Sequence, residues 1–327
     1  MKVNKAKVVV IVGPTASGKT ALSLTLAKKY NGEIISADSR QIYRGMDIGT
    51  AKAPIDKSSN YRFNYLVDGI KHHLVDIKNP NQNYSVAEFK KDAIKAISQI
   101  HKCGRLPIVV GGTGLYISAL ADNLKIPPIK ENKKLRAKLE KELSEKGLNY
   151  LFKKLVGLDS EAAYIVDSRN PRRVIRALEV ALITGKPFTS LRKKGKPLFN
   201  LLMIGINSPN DILKKKITER IKEMTKDGLV KEVKNLVKKY GFQAKPFDAI
   251  GYREIIEYIK GKISLEEAIE LMIKNTWHYA KRQITWFKKD KKVRWLESQI
   301  EAEVLVKQFL NSGIKKTRLW QTAPRGS

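Results

Sequence analysis

Apolar residues fall along this chain in two alternating rhythms, and each rhythm predicts an element. "KVVVIV", from Lys7 to Val12, is a short unbroken apolar run of the kind that a strand covered on both faces needs. Behind it Leu22, Leu26 and Ala27 recur at helical spacing, which predicts a helix over Gly18–Tyr30 with a stop at Gly32. "EIIS", from Glu33, predicts a second strand. Ser85 and Glu88 make a Ser-x-x-Glu capping box, so a helix is expected from there to about Cys103, where Gly104 ends it. "LPIVV", from Leu106, predicts a third strand that runs into "GGTGLY". Strand, helix and strand in this order imply a parallel sheet whose functional loops lie at the carboxyl ends of the strands.

The rhythm changes after the break at Ile126–Pro128. Leu135, Leu139 and Leu143 form one stripe of a lysine- and glutamate-rich helix. Asn170 as N-cap, with Pro171 at the first helical position, opens another that ends at Gly185. No strand signal returns until "LLMIGIN", from Leu201. Residues 124–198 are therefore expected to be an all-helical insertion into an α/β core formed by 1–123 and 199–315. Helical segments follow over Asp211–Tyr240, Tyr252–Lys260 and Ser264 to about Lys288, the last opened by a second Ser-x-x-Glu box. Residues 316–327 are set apart as a tail, and their "TAPRGS" is read as a processing remnant.

Composition narrows the classes. Of 327 residues 42% are hydrophobic and 29% charged, as in a soluble globular protein. Apolar stretches such as Val8–Val12 and Leu201–Ile206 are far too short to span a bilayer, so no membrane partner is expected. The single cysteine, Cys103, excludes a disulfide framework and a cysteine-rich zinc site, and a cytoplasmic setting is expected. Charge is the outlier: 64 Lys+Arg against 32 Asp+Glu gives +32, a field that attracts polyanions, nucleic acid first among them. Dispersed lysine pairs carry part of that excess; the arginine clusters are not accounted for in that way.

Gly13-Pro14-Thr15-Ala16-Ser17-Gly18-Lys19-Thr20 has the full G-x-x-x-x-G-K-T spacing, with a strand before it and a helix after it. Its backbone N–H groups suit an anion at a helix N-terminus, Lys19 adds a point charge and the Thr20 hydroxyl suits Mg²⁺. A P-loop NTPase-like α/β fold follows, and the ligand carries a phosphate or diphosphate. Asp38 stands at the end of the second strand, where a carboxylate serves as a magnesium ligand through water, as a proton acceptor, or only as a turn residue. Thr113 stands in the glycine-rich loop after the third strand. Arg220 lies beside the apolar face formed by Ile217, Ile221 and Met224, placed either as a diphosphate clamp or as a solvated helix arginine.

The run "GPTASGKT", "DSRQIYRGMDIGTAK", "HHLVDI", "VGGTGLY", "NPRRVIRALEV", "AIGYRE" and "YAKRQITWF" resembles the bacterial tRNA dimethylallyltransferases, also called tRNA isopentenyltransferases. The resemblance spans nearly the whole chain in the family's order. It implies transfer of a dimethylallyl group from dimethylallyl diphosphate to N6 of adenosine 37, next to the anticodon of a tRNA, with release of diphosphate. Gly13 to Thr20 would then hold the donor's diphosphate with Mg²⁺ on Thr20. Asp38 would be the base, and Thr113 and Arg220 would complete the catalytic set. Contacts to the anticodon stem-loop would come from Asp38, Ser39, Arg40, Gln41 and Thr113. Further contacts would come from Arg172, Arg173, Arg176, Gly251, Tyr252, Arg253, Lys281, Arg282 and Gln283. The chain departs from the family pattern at Trp277, His278 and Lys216, where basic residues or arginine are frequent. The His72–His73 pair is expected to be structural, Trp286 to pack, and the protein to be a monomer.

Three other readings share the phosphate loop. A small-molecule P-loop kinase leaves the +32 charge and the basic insertion without a purpose. A cytokinin-type enzyme that prenylates free adenylate would lack the tRNA surface. A nucleotide-switched nucleic-acid-binding protein is opposed by the absence of a guanine-reading N-K-x-D motif.

Overall fold

The computed structural model describes residues 5–57, 65–126, 129, 132–191 and 193–312. The expected break at Pro127–Pro128 and the expected tail lie outside these residues. The chain divides into two compact units, one of Met1–Asn83, Lys95–Gly114 and Phe199–Ser327, the other of Tyr84–Ile94 and Leu115–Leu198.

The first unit is built on seven strands: β1 (Lys7–Val12), β2 (Gly32–Ser36), β3 (Tyr65–Val67), β4 (Ile70–His73), β5 (Leu106–Val110), β6 (Asn200–Ile206) and β7 (Val293–Leu296). Their order across the sheet is β3-β4-β2-β5-β1-β6-β7, and every neighbouring pair is parallel except β3 with β4. β1 sits inside, with Val9 opposite both Ile108 of β5 and Leu202 of β6, which is why its run has no polar residue after Lys7. Helix α1 (Lys19–Lys29) covers this sheet through Leu22 and Leu26.

The α2 helix (Val86–Lys102) begins at the expected box, Ser85 N–H bonding Glu88 and Glu88 N–H bonding the Ser85 hydroxyl at 2.8 and 3.2 Å. α3 (Gly114–Ala121) follows β5 directly.

The second unit holds α4 (Lys133–Leu158), α5 (Ala162–Ile165) and α6 (Pro171–Thr184) around Leu139, Leu151, Leu155, Val174 and Leu178. Asn170 caps α6 by accepting the Arg173 N–H. The expected insertion, 124–198, falls within this unit, which also takes in Tyr84–Ile94 and residues from Leu115 onward.

Back in the first unit, the single helical segment expected over 211–240 is two helices, α7 (Asn210–Lys226) and α8 (Leu229–Tyr240). Gly228, at φ 102°, breaks them apart. α9 (Tyr252–Ile259) and α10 (Leu265–Lys288) come next, and the Ser264 box caps α10. β7 and α11 (Gln299–Asn311) complete the unit, with Ala302 and Val306 of α11 packing on the sheet. β3, β4, β7 and α11 are not foreseen from the sequence: the strands are three or four residues long and largely half-buried, too short for a period to register.

Candidate active site

All the strands that matter end on one edge of the sheet, and three loops meet there. In the first, β1 passes into α1 through Gly13–Gly18. Gly18 takes φ 91° as the helix N-cap, a conformation that a side chain would strain. Ala16 holds a left-handed φ of 63° without that freedom. The Ser17 hydroxyl is buried in the loop with no hydrogen-bond partner. Such a group carries a desolvation cost until an anion or ion answers it. Lys19 Nζ donates to the Pro14 carbonyl at 2.5 Å. Burial lowers the Lys19 pKa to about 8, with Asp38 opposing the shift and Arg220 adding to it. Arg220 comes from α7 and donates to Thr15 Oγ1 at 3.4 Å. The inward reach expected for Arg220 is the one found.

The second loop follows β2. Asp38 Oδ1 accepts the N–H groups of Arg40 and Gln41 at 2.8 and 3.4 Å, an Asx-type turn that orients the carboxylate. The third loop follows β5. There Thr113 Oγ1 accepts the Ser39 N–H at 3.1 Å, joining the second and third loops. The Asp38 charge acts on both Lys19 and Tyr279, so the carboxylate, the ammonium and the third loop share one field.

Tyr279, on α10, was not singled out from sequence. It lies beside the Thr113 side chain, and burial, then the Asp38 charge, push its pKa up to about 12. A cavity of about 390 Å³ adjoins, lined in part by Ile48, Ala51, Pro54, Ile55 and Met224, with Arg220 on its wall.

Several expected RNA contacts are placed elsewhere. Gln283 is 5% exposed, and both ends of its amide are used inside the protein: it accepts the Thr15 N–H at 2.8 Å and donates to the Gly112 carbonyl at 2.9 Å. Gly251 and Tyr252 are buried. The Tyr252 hydroxyl donates to Glu232 at 2.6 Å, and that carboxylate also takes the N–H groups of Asp47, Ile48 and Gly49. "AIGYRE" and "DIGTAK" are thus two halves of one internal brace. Arg253 pairs with Glu254, and Arg40 with Asp248, at 2.7 Å each. Gln41 accepts the Ser36 hydroxyl and donates to the Thr50 carbonyl. Lys281 and Arg282 are exposed on the outer face of α10, over the rings of Trp277 and Tyr279.

In the second unit Arg172 and Arg173 are exposed at the start of α6, but Arg176, expected to contact RNA with them, turns inward. Its guanidinium donates to Glu179 at 2.7 Å and to the Ile129 carbonyl at 3.0 Å. Glu179 is fully buried, and among the described residues that arginine, Arg136 and the Asn132 N–H answer it. The same unit has a cleft of about 880 Å³ lined by Lys90, Lys91, Lys125, Lys186 and Lys193, with no carboxylate on its walls.

The His72–His73 pair is structural: His73 bonds Glu33 at 2.5 Å and His72 the Ile70 carbonyl at 3.0 Å. No cluster of three His, Cys, Asp or Glu suited to a metal occurs among the described residues. None of their helices is long and apolar enough to cross a membrane.

Known proteins share this architecture and sequence. The tRNA dimethylallyltransferase of Caldanaerobacter subterraneus subsp. tengcongensis is 45% identical over 88% of this chain and 91% of its own. That of Carboxydothermus hydrogenoformans is 43% identical over 90% and 93%. The crystal structure of tRNA isopentenylpyrophosphate transferase from Bacillus halodurans superposes with a TM-score of 0.68 at 40% identity, covering 94% of this chain and 97% of that one. A eukaryotic dimethylallyltransferase caught acting on tRNA superposes at 0.74 with 28% identity, covering 93% and 79%. The family described as IPP transferase matches residues 41–290, and with a phosphate loop, a carboxylate and a threonine gathered on one sheet edge, this chain belongs to that family.

Proposed function

We propose that this protein transfers a dimethylallyl group from dimethylallyl diphosphate to N6 of adenosine 37 in tRNA, releasing diphosphate. The observation that carries the reading is the convergence of Lys19, Arg220 and the unanswered Ser17 hydroxyl with Asp38 and Thr113. The first three suit a diphosphate whose negative charge grows as its allylic C–O bond breaks. Asp38 suits the other half of the reaction. Its Oδ1 is held by two backbone N–H groups, which leaves Oδ2 to accept a proton from the amine as the new C–N bond forms. Thr113, held by the Ser39 N–H, borders the same place and is suited to orient the base.

Magnesium fits the loop: the Thr20 hydroxyl is the group that would hold it, beside the unpartnered Ser17 hydroxyl. When bound there it would spread the charge of the departing diphosphate.

An adenine stacked in an anticodon loop reaches such a crevice only when extruded, at modest cost in a single-stranded loop. Exposed Arg172, Arg173, Lys281 and Arg282, together with the lysine-lined cleft, supply the attraction for phosphates of the anticodon stem-loop. A cytoplasmic monomer completes the reading.

The test is incubation with Mg²⁺, unmodified tRNA and dimethylallyl diphosphate, followed by nucleoside mass analysis. The mass of one prenyl group added to adenosine supports the proposal. Modification of free AMP in place of tRNA, or ATP consumption with small hydroxyl acceptors, overturns it.

A further inference from the structure

One face of α10 follows the whole glycine-rich loop after β5, residue by residue. Tyr279 lies beside the Thr113 side chain, Gln283 hydrogen-bonds the Gly112 carbonyl, and Trp286 lies on Gly114. Positions 279, 283 and 286 are spaced by four and three, so they share one side of a helix. The fit is close. A Cβ on Gly112 would come within 2.0 Å of Gln283 Nε2, and one on Gly114 within 2.5 Å of the Trp286 ring. Gln283 also reaches the phosphate loop, where its Oε1 takes the Thr15 N–H. The same Thr15 receives Arg220 on its hydroxyl.

We infer that Gln283 is a positioning residue: its side-chain amide ties the phosphate loop to the loop that carries Thr113, and so sets the distance between the leaving diphosphate and the accepting amine. An amide is suited to this because it offers one acceptor and one donor in fixed opposition, and the two loops present one N–H and one C=O. No other natural side chain of that length does both without titrating. The inference rests on the diphosphate reading of the loop.

The test uses the full chain and inorganic diphosphate with Mg²⁺, measured by calorimetry without tRNA, alongside steady-state kinetics and tRNA filter binding. Q283L loses both hydrogen bonds, and diphosphate affinity and kcat should each fall about tenfold or more while tRNA affinity stays within about twofold. Q283E supplies a signature that a merely structural role would not give. Its ionised carboxylate accepts from Thr15 but repels the Gly112 carbonyl, whereas its protonated form has the amide's donor and acceptor and restores both bonds. Its diphosphate affinity relative to the unaltered protein should therefore recover as pH falls. If Q283L fails to fold, the Q283E profile decides alone. A flat Q283E ratio, or lost tRNA affinity with unchanged diphosphate affinity, would overturn the positioning role. No diphosphate binding by the unaltered protein would overturn the loop assignment, and this inference with it.

Discussion

The loops that meet at Asp38 and the cluster around Glu179 both bury charge, yet they settle it in opposite ways. At Glu179 the carboxylate is answered from within: two guanidinium groups and a backbone N–H close on an acid that has no exposure at all. Around Asp38 demands are left open. The Ser17 hydroxyl has no partner, and Lys19 is reduced to bonding the carbonyl of its own loop. Pairing completed inside a fold serves stability or shape. Pairing left incomplete, in a loop whose backbone is held rigidly, is prepared for something that arrives from outside.

The sharpest way to break this contrast is to remove one carboxylate from each place. Asp38→Asn, which keeps the Oδ1 acceptor of its turn, should lower prenyl transfer about a thousandfold, the range of a lost general base, with unfolding temperature and tRNA affinity unchanged. Product analysis and a thermal melt on one preparation check it. Glu179→Ala should do the reverse. With the half-buried Arg136 and Arg176 left facing each other, stability should fall by about 2 kcal/mol in a denaturant titration.

The two sites should also part company in their response to pH. Burial pushes the Glu179 pKa up, but Arg176, the Asn132 N–H and Arg136 more than offset this, and it lies below the ordinary 4.5. Its contribution to stability is therefore complete above that ordinary value and fades as pH falls below it, through the lowered folded value. Lys19 acts at the other end of the scale. The diphosphate prefers the ammonium form, whose pKa is about 8 in the free loop. Donor affinity should fall above that pH, approaching about tenfold per pH unit, and Lys19→Gln should abolish the step.

The smallest effect sharpens the reading of α6. Replacing Arg172 and Arg173 together by alanine should weaken tRNA binding severalfold and flatten its salt dependence by up to about two phosphate contacts. Arg176→Ala should leave the salt dependence alone and lower stability instead, because that arginine is spent on Glu179.

How far the sequence could be read follows from how local each signal is. The phosphate loop, the two capping boxes and the Asn170–Pro171 helix start are decided within a few residues, and each stands where it was expected. Gln283 could not be read that way. Its partners are 171 and 268 residues distant in the chain, and "YAKRQ", with its two cations, suggested an RNA-facing surface by resemblance. One signal was present nonetheless. Helical spacing puts Gln283 on the face of Ala280 and Phe287, both buried, and a polar residue on an apolar face needs partners. Tyr252 and Glu232 were hidden for the same reason: the loop they brace lies far back along the chain. Arg176 misled differently, since its cluster with Arg172 and Arg173 is real in sequence but is split by the turn of the helix.

The central position of β1 also bears on how the molecule is made. This strand is synthesised well before its neighbours, which are β5, about a hundred residues later, and β6, which follows the entire helical unit. A nascent chain therefore carries the apolar run "VVVIV" unpaired until β5 and β6 have emerged. Pairings this remote are slow to form, because the loops that they close are long. The helical unit has its own apolar core, and a segment that compacts early shortens the search that β6 must make. The residues between β5 and β6 thus serve the sheet before any RNA is bound, as the packed part of the chain across which its two halves find each other.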